Sequence, residues 1–133
     1  MQGLTISQLA QRAGVPIDTI RYYERARLIA EPPRRASGYR QYPEETVRRL
    51  RFIRRAKALG FTLDEIAELL SLSSKRNVAA VKRSAEQKLA DVEARIAELS
   101  RIRDGLSRLI QSCPGRGHAE DCPILAALNE DET

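Results

Sequence analysis

Between Val78 and Ser112 the chain runs 35 residues with no proline and one glycine, Gly105. Its apolar side chains include Val81, Ala85, Leu89, Val92, Ile96, Leu99, Ile102, Leu106, Leu109 and Ile110, mostly three or four positions apart. Val92, Leu99 and Leu106 stand seven apart, and so do Leu89 and Ile96, with Arg103 filling the slot before Ile110. This is a heptad seam with one charged interruption, and it predicts a single helix packed against another helix. At 1.5 Å per residue such a helix reaches roughly 50 Å, more than a small neighbouring domain covers. An uncovered apolar stripe needs a partner, and an identical chain is the simplest one. Folding back onto its own domain is the competing arrangement; the charged residues around the seam favour a coiled coil.

The residues before this helix predict a small helical domain. Thr5 to Ala13 places Ile6, Leu9, Ala10 and Ala13 on one stripe, and Gly14 ends the helix. Val15-Pro16 turns the chain into a second helix, from about Ile17 to Ala26, with proline suited to its first turn. Two short helices across a glycine-containing turn make a helix-turn-helix. In EPPRRASGYRQYP, Glu31 to Pro43, the prolines, the Ser-Gly turn and the Tyr-Arg-Gln-Tyr alternation predict a two-stranded wing. From Glu44 to Leu59 helical periodicity resumes, with Val47, Leu50, Ile53 and Leu59 inward and five arginines on the other faces, until Gly60. Thr62-Leu63-Asp64-Glu65 is a capping box opening a helix to about Leu72. The expected fold class is therefore mainly α. A winged helix-turn-helix domain occupies residues 1–72, a hinge 73–77 and the long helix 78–112; a cysteine-flanked loop, short helix and acidic tail fill 113–133.

Charge divides along the same line. Residues 1–60 hold 13 Lys and Arg against 5 Asp and Glu, whereas residues 61–133 hold 10 against 13. A basic first half points to phosphate as its partner. On the second helix Thr19, Arg21, Tyr22 and Tyr23 can meet phosphates and base edges in a major groove, with Arg25 and Arg27 continuing the basic face. Arg34, Arg35, Tyr39 and Arg40 of the wing, then Arg51, Arg54 and Arg55, offer further backbone contacts. The first residues show no basic leader with an apolar core, and no apolar run approaches a bilayer-spanning length, so a cytoplasmic protein without membrane contact is expected. In that reducing compartment the two cysteines, Cys113 and Cys122, fit metal or redox chemistry better than a structural disulfide. A pair of thiolates suits soft ions such as Cu(I), Ag(I), Au(I) or Hg(II), whereas Zn(II) favours four ligands.

In combination, TIRYYERARLI (Thr19 to Ile29), GYRQY (Gly38 to Tyr42), RFIRRAKALGFTLDEIAELL (Arg51 to Leu70) and the CPILAAL terminus resemble the MerR family of regulators end to end. The resemblance implies a homodimer joined by an antiparallel coiled coil. It further implies a palindromic promoter with an overlong spacer, RNA polymerase as partner, and activation by distortion of the DNA when an inducer binds. Carried over by position, the implied DNA contacts are Thr19, Arg21, Tyr22, Tyr23, Tyr39, Arg40 and, on phosphate, Arg54. Pro16 departs from the family, whose members commonly place a Ser or Thr cap there.

CPGRGHAEDCP, Cys113 to Pro123, resembles the metal-binding loop of the family's metal-sensing branch, which implies Cys113 and Cys122 as ligands. Relatives that answer divalent ions supply a third cysteine from the partner subunit at the position matching Val78, which has no donor atom. The run Val81-Lys82-Arg83 resembles the copper-efflux regulators, in which a lysine matching Lys82 lies near the thiolates. Two thiolates with a +1 ion leave a charge of −1, which one nearby cation balances. The expectation is a soft +1 ion, foremost Cu(I). Against it stand the loop's length, which resembles the mercury and zinc types, and His118, which with Cys113 and Cys122 makes a three-donor set for a divalent ion. Two readings without a metal stay open: thiol-redox sensing on the same fold, and a ligand-free DNA-architectural or polymerase-associated module. No enzyme is expected, because the sequence has no phosphate-binding glycine loop, Ser-His-Asp set or carboxylate cluster.

Overall fold

Six α-helices lie among the described residues, 3–33 and 41–130, of the computed structural model. They are α1 (Ile6–Ala13), α2 (Ile17–Arg25), α3 (Glu45–Ala58), α4 (Leu63–Ser74), α5 (Val78–Ser112) and α6 (Pro123–Leu128), with one 3₁₀ turn at Ala119–Asp121. The chain divides into two compact units, Met1–Ser84 and Ala85–Thr133. No helix among the described residues is long and apolar enough to cross a membrane.

In the first unit, α1 packs on α2 and α3, and α3 packs on α4. Helix starts and stops are written locally. Thr5 Oγ1 accepts from the Gln8 backbone N–H at 3.1 Å while Gln8 Oε1 accepts from the Thr5 N–H at 2.9 Å. Thr62 and Glu65 form the same reciprocal pair at 3.2 and 2.8 Å, the capping box expected from sequence. Two helices end in Schellman turns on arginine instead of glycine. At Arg27 (φ 63°), the Arg27 and Leu28 N–H groups donate to the Glu24 and Tyr23 carbonyls. At Arg76 (φ 54°), the Arg76 and Asn77 N–H groups donate to Ser73 and Leu72. The second turn explains why α4 runs to Ser74, past the expected Leu72: nothing before Arg76 breaks the backbone. Asn77 then caps α5, its Oδ1 accepting from the Ala80 N–H at 3.1 Å.

The core unites Leu9 and Ala13 of α1, Ile20 and Tyr23 of α2, Leu28 and Ile29 beyond it, Val47, Leu50, Ile53 and Ala56 of α3, and Ile66 of α4. Tyr42 joins them at 1% exposure. Its backbone exchanges two 2.8 Å hydrogen bonds with Leu4, and its hydroxyl donates to Glu24 Oε2 at 3.0 Å. This antiparallel bridge ties the chain returning to α3 onto Leu4, next to the Thr5 cap of α1. Of the expected two-stranded wing, Glu31 to Pro43, residues 34–40, with Arg34, Arg35, Tyr39 and Arg40, lie outside the described residues.

α5 occupies the span read from the heptads, Val78–Ser112, and buries none of its residues in the single chain. Leu89, Ile96, Leu99, Ile102, Leu106 and Ile110 are each at least half exposed along it. Within the second unit α6 packs against the 3₁₀ turn.

Candidate DNA-facing surface and thiol pair

α2 begins at Pro16, whose φ of −65° and ψ of 153° leave its carbonyl to accept from the Thr19 and Ile20 N–H groups at 3.1 and 3.2 Å. It has no side-chain cap, so Asp18 in the first turn is the group that complements the helix dipole. Of the residues expected to read DNA, Arg21 is exposed, Tyr22 is 48% exposed and Thr19 is half-buried. Tyr23 differs from them in burial: the residue is 7% exposed and belongs to the core, because it falls on the same apolar stripe as Ile20. Burial, and then the Tyr22 phenol beside it, push the Tyr23 hydroxyl above its ordinary pKa. The two rings stand 5.9 Å apart, tilted by 49°. Arg49 Nε donates to the Leu28 carbonyl at 2.6 Å, bracing the end of the α2 turn on α3.

Arg54 and Arg55 are exposed and line a recess of about 510 Å³ with Arg12, Gly14 and Arg51, between the end of α1 and α3. A side-chain carbon placed on Gly14 stands 2.7 Å from Arg54 Nη1, so the guanidinium lies directly over the helix-turn-helix turn. Arg51 Nη2 donates to the Arg12 carbonyl at 3.2 Å, and Arg12 pairs with Glu44. The hydrogen bond from Arg12 holds the Glu44 carboxyl below its usual range, burial opposes this, and the charges of Arg12, Arg48 and Arg51 add to the lowering. Both partners of that pair are about half exposed, so it adds little to stability. Arg12 was not legible as part of this cluster, since only the packing of α1 on α3 brings residues so distant in sequence together.

In the second unit the Sγ atoms of Cys113 and Cys122 lie 3.7 Å apart, both thiols free and half-buried. Cys113 follows the last turn of α5, its N–H donating to Ile110 at 3.2 Å; the Cys122 N–H donates to Ala119 at 3.2 Å. The spacing of nine residues is closed by the turn at Gly115–Gly117 and the 3₁₀ turn, which bring the two residues back together. Cys122 is also the N-cap of α6. The Leu125 N–H most of all, then the Cys113 thiol and the Ile124 N–H, lower the Cys122 thiol from its ordinary range, against opposing burial. The α6 amides act here as dipoles near the sulfur, because no side-chain cap hydrogen bond is formed.

His118 does not join the thiols. Among the described residues no three His, Cys, Asp or Glu side chains come together in a group fit for a metal ion. Its carbonyl instead accepts from the Asp121 N–H at 3.0 Å, opening the 3₁₀ turn. In the first unit Val78 is 76% exposed and lines an apolar recess of about 390 Å³ with Phe52, Leu69, Leu72 and Val81. Lys82, one turn on, is exposed. The thiol pair fits a soft ion by donor chemistry: two sulfurs from one chain, close enough to share one ion, with no carboxylate grouped beside them among the described residues.

The chain matches the family profile described as "MerR HTH family regulatory protein" over residues 4–73 and that described as "MerR, DNA binding" over residues 47–109. It is 41% identical over 128 residues to the mercuric resistance operon regulatory protein of Pseudomonas fluorescens, spanning 96% of this chain and 89% of that one. It is 38% identical over 128 residues to the HTH-type transcriptional regulator CueR of Salmonella typhimurium, spanning 95% and 92%. Among solved structures it resembles the transcription regulator PbrR691 of Ralstonia metallidurans CH34 in complex with lead(II). The TM-score is 0.84 at 33% identity, over 94% of this chain and 98% of that one.

Proposed function

The chain belongs to the MerR family of helix-turn-helix regulatory proteins, and from that membership we propose that it is a metal-responsive transcription regulator of the cytoplasm. It binds a palindromic promoter as a homodimer, and a soft metal ion held by Cys113 and Cys122 switches it to activation with RNA polymerase. The observation that carries this reading is the pair of free sulfurs 3.7 Å apart in a chain whose other unit is a helix-turn-helix. The similarity to a mercuric resistance regulator, to CueR and to a regulator in complex with lead(II) supports it.

In the first unit, Arg21, Tyr22 and Thr19 of α2 contact the major groove, Tyr39 and Arg40 add further DNA contacts, and Arg54 holds a phosphate beside Gly14. Tyr23, seated in the core beside them, anchors α2. The exposed apolar seam of α5 supplies the dimer contact, antiparallel in this reading. In the second unit, Cys113 and Cys122 tie the end of α5 to the start of α6 when an ion is bound, so occupancy changes how firmly those elements are joined. Both thiols must lose their protons for this, and the amide dipoles of α6 ease that loss at Cys122.

For the ion, a +1 coinage metal, foremost Cu(I), follows from the donor count. Two thiolates with a +1 ion leave a net −1 that one nearby cation balances, and Val78 adds no ligand. A divalent ion is the second reading, and a specific distance favours it. At metal–sulfur bonds of about 2.3 Å, tetrahedral angles set sulfurs about 3.8 Å apart and a linear ion about 4.6 Å. The 3.7 Å observed matches the bent arrangement. Titration of the reduced protein with Cu(I), Hg(II) and Zn(II) against competing chelators decides. The proposal expects tightest Cu(I) binding, one ion per cysteine pair, abolished in Cys113→Ser and Cys122→Ser. Tight divalent binding weakened by His118→Ala selects the second reading. No soft-ion binding overturns both.

A further inference from the structure

We infer that Cys113 and Cys122 also form a reversible intramolecular disulfide, driven by hydroperoxides, which closes the ion site to metal. The sulfurs are 3.7 Å apart, and a disulfide places them at about 2.05 Å, so closure requires a shift of less than a bond and a half. Both backbones are anchored, Cys113 by its N–H on Ile110 and Cys122 by its N–H on Ala119, which holds the sulfurs facing each other. The chain between them can absorb the shift. It contains no α-helix and turns at Gly115 and Gly117, both at positive φ. Both thiols are only half-buried, so a small oxidant reaches them. Among the described residues, no His, Asp or Glu side chain joins the two sulfurs in a group fit for a metal ion.

The chemistry balances with a hydroperoxide as the named oxidant. One thiolate attacks the terminal peroxide oxygen, the O–O bond breaks, and the alcohol leaves with one proton while the sulfur becomes a sulfenic acid. The second thiolate attacks that sulfur, the S–O bond breaks, and hydroxide leaves as water with the other proton. Two thiols lose two electrons, and the peroxide gains them as one alcohol and one water. Two equivalents of a small thiol reverse the change by exchange, leaving as their own disulfide. A disulfide sulfur carries no negative charge and is a poor ligand for the ions considered above. The oxidised chain therefore has no ion site, and the regulator answers metal only while its thiols are reduced.

The inference uses the cysteine pair assigned above to metal, so its test begins without any. The reduced, metal-free full-length protein is treated with cumene hydroperoxide and followed by thiol titration and intact mass. The expected product loses both thiols and two hydrogens of mass, stays free of interchain crosslinks on a non-reducing gel, and returns to the dithiol with dithiothreitol. Cys113→Ser should instead stop at a sulfenic acid on Cys122, trapped by dimedone. Stable thiols, interchain disulfides, or oxygen addition without loss of two hydrogens would each overturn the inference. In a second arm the oxidised protein is offered Ag(I), and complete loss of binding is expected. Undiminished Ag(I) binding by the disulfide form overturns the switch. If the disulfide forms while the reduced protein also fails to bind Ag(I), the exclusion of metal by oxidation is refuted together with the metal reading, and only the disulfide chemistry stands.

Discussion

Substituting Gly14 by alanine tests the joint between fold and DNA-binding surface. Gly14 closes α1 at φ 72°, its N–H donating to Ala10 at 2.9 Å. An L-residue there costs about 1–2 kcal/mol, since its Cβ crowds the following carbonyl. The new methyl also meets Arg54 Nη1 at 2.7 Å, with Arg54 Cζ next at 3.8 Å. This is the far end of a flexible side chain, so the guanidinium swings aside at little further cost in stability. Gly60→Ala is the control, because Gly60 has φ 92° and nothing within 4 Å of the added carbon. Both variants should therefore unfold at lower temperature, by roughly 4–8 °C per kcal/mol for a domain of this size. Far-UV circular dichroism at one fixed protein concentration measures this, since a dimer's melting point depends on concentration. Only Gly14→Ala should also weaken operator binding, with the slope of log K against log salt reduced by about 1 for one lost phosphate contact. Fluorescence anisotropy with a labelled duplex reads that slope. An unchanged melting temperature in Gly14→Ala refutes the backbone argument, and equal DNA affinity in the two variants refutes the link to Arg54.

Leu50 is fully buried at the centre of α3, so Leu50→Ala should cost about 2–5 kcal/mol by urea denaturation, and a loss under 1 kcal/mol would contradict its place in the core. Arg27 holds a left-handed conformation at φ 63°, so Arg27→Gly should raise stability by about 1 kcal/mol in the same assay, whereas a loss would show that its side chain contributes more than its backbone costs. The Cys122 thiol is lowered from its ordinary range, so its thiolate persists to lower pH than in a free cysteine and vanishes as pH falls through the shifted value. Site-resolved alkylation with iodoacetamide should accordingly give a rate–pH curve for Cys122 displaced to lower pH than that of a cysteine peptide; a coincident or higher curve contradicts the role of the α6 amides.

Regular spacing made most of the fold legible. Thirty-five residues without a breaker gave α5 its bounds, and Thr62 with Glu65 gave α4 its start, because heptads and capping boxes are local codes. The end of α4 was missed because a left-handed arginine at 76 leaves no mark as plain as glycine does. Arg21, Tyr22 and Tyr23 look alike as a string, while the period of α2 turns only Tyr23 of the three inward with Ile20. The nearness of Cys113 to Cys122 could be expected from a loop between two thiols, but not its 3.7 Å distance. The arginine recess at Gly14 depends on α1 meeting α3, a tertiary contact that spacing along the chain does not encode.

The proposed metal-switched response couples the thiols of the second unit to the helix-turn-helix of the first. Run-off transcription with purified RNA polymerase tests it most directly, from a promoter carrying an operator that the protein selects from random duplexes. With the reduced wild-type protein bound, adding Cu(I) buffered by a chelator should raise transcript, while Cys113→Ser and Cys122→Ser bind the same operator and stay silent. Transcript that rises equally in the cysteine variants, or that ignores every soft ion in the wild type, contradicts the account.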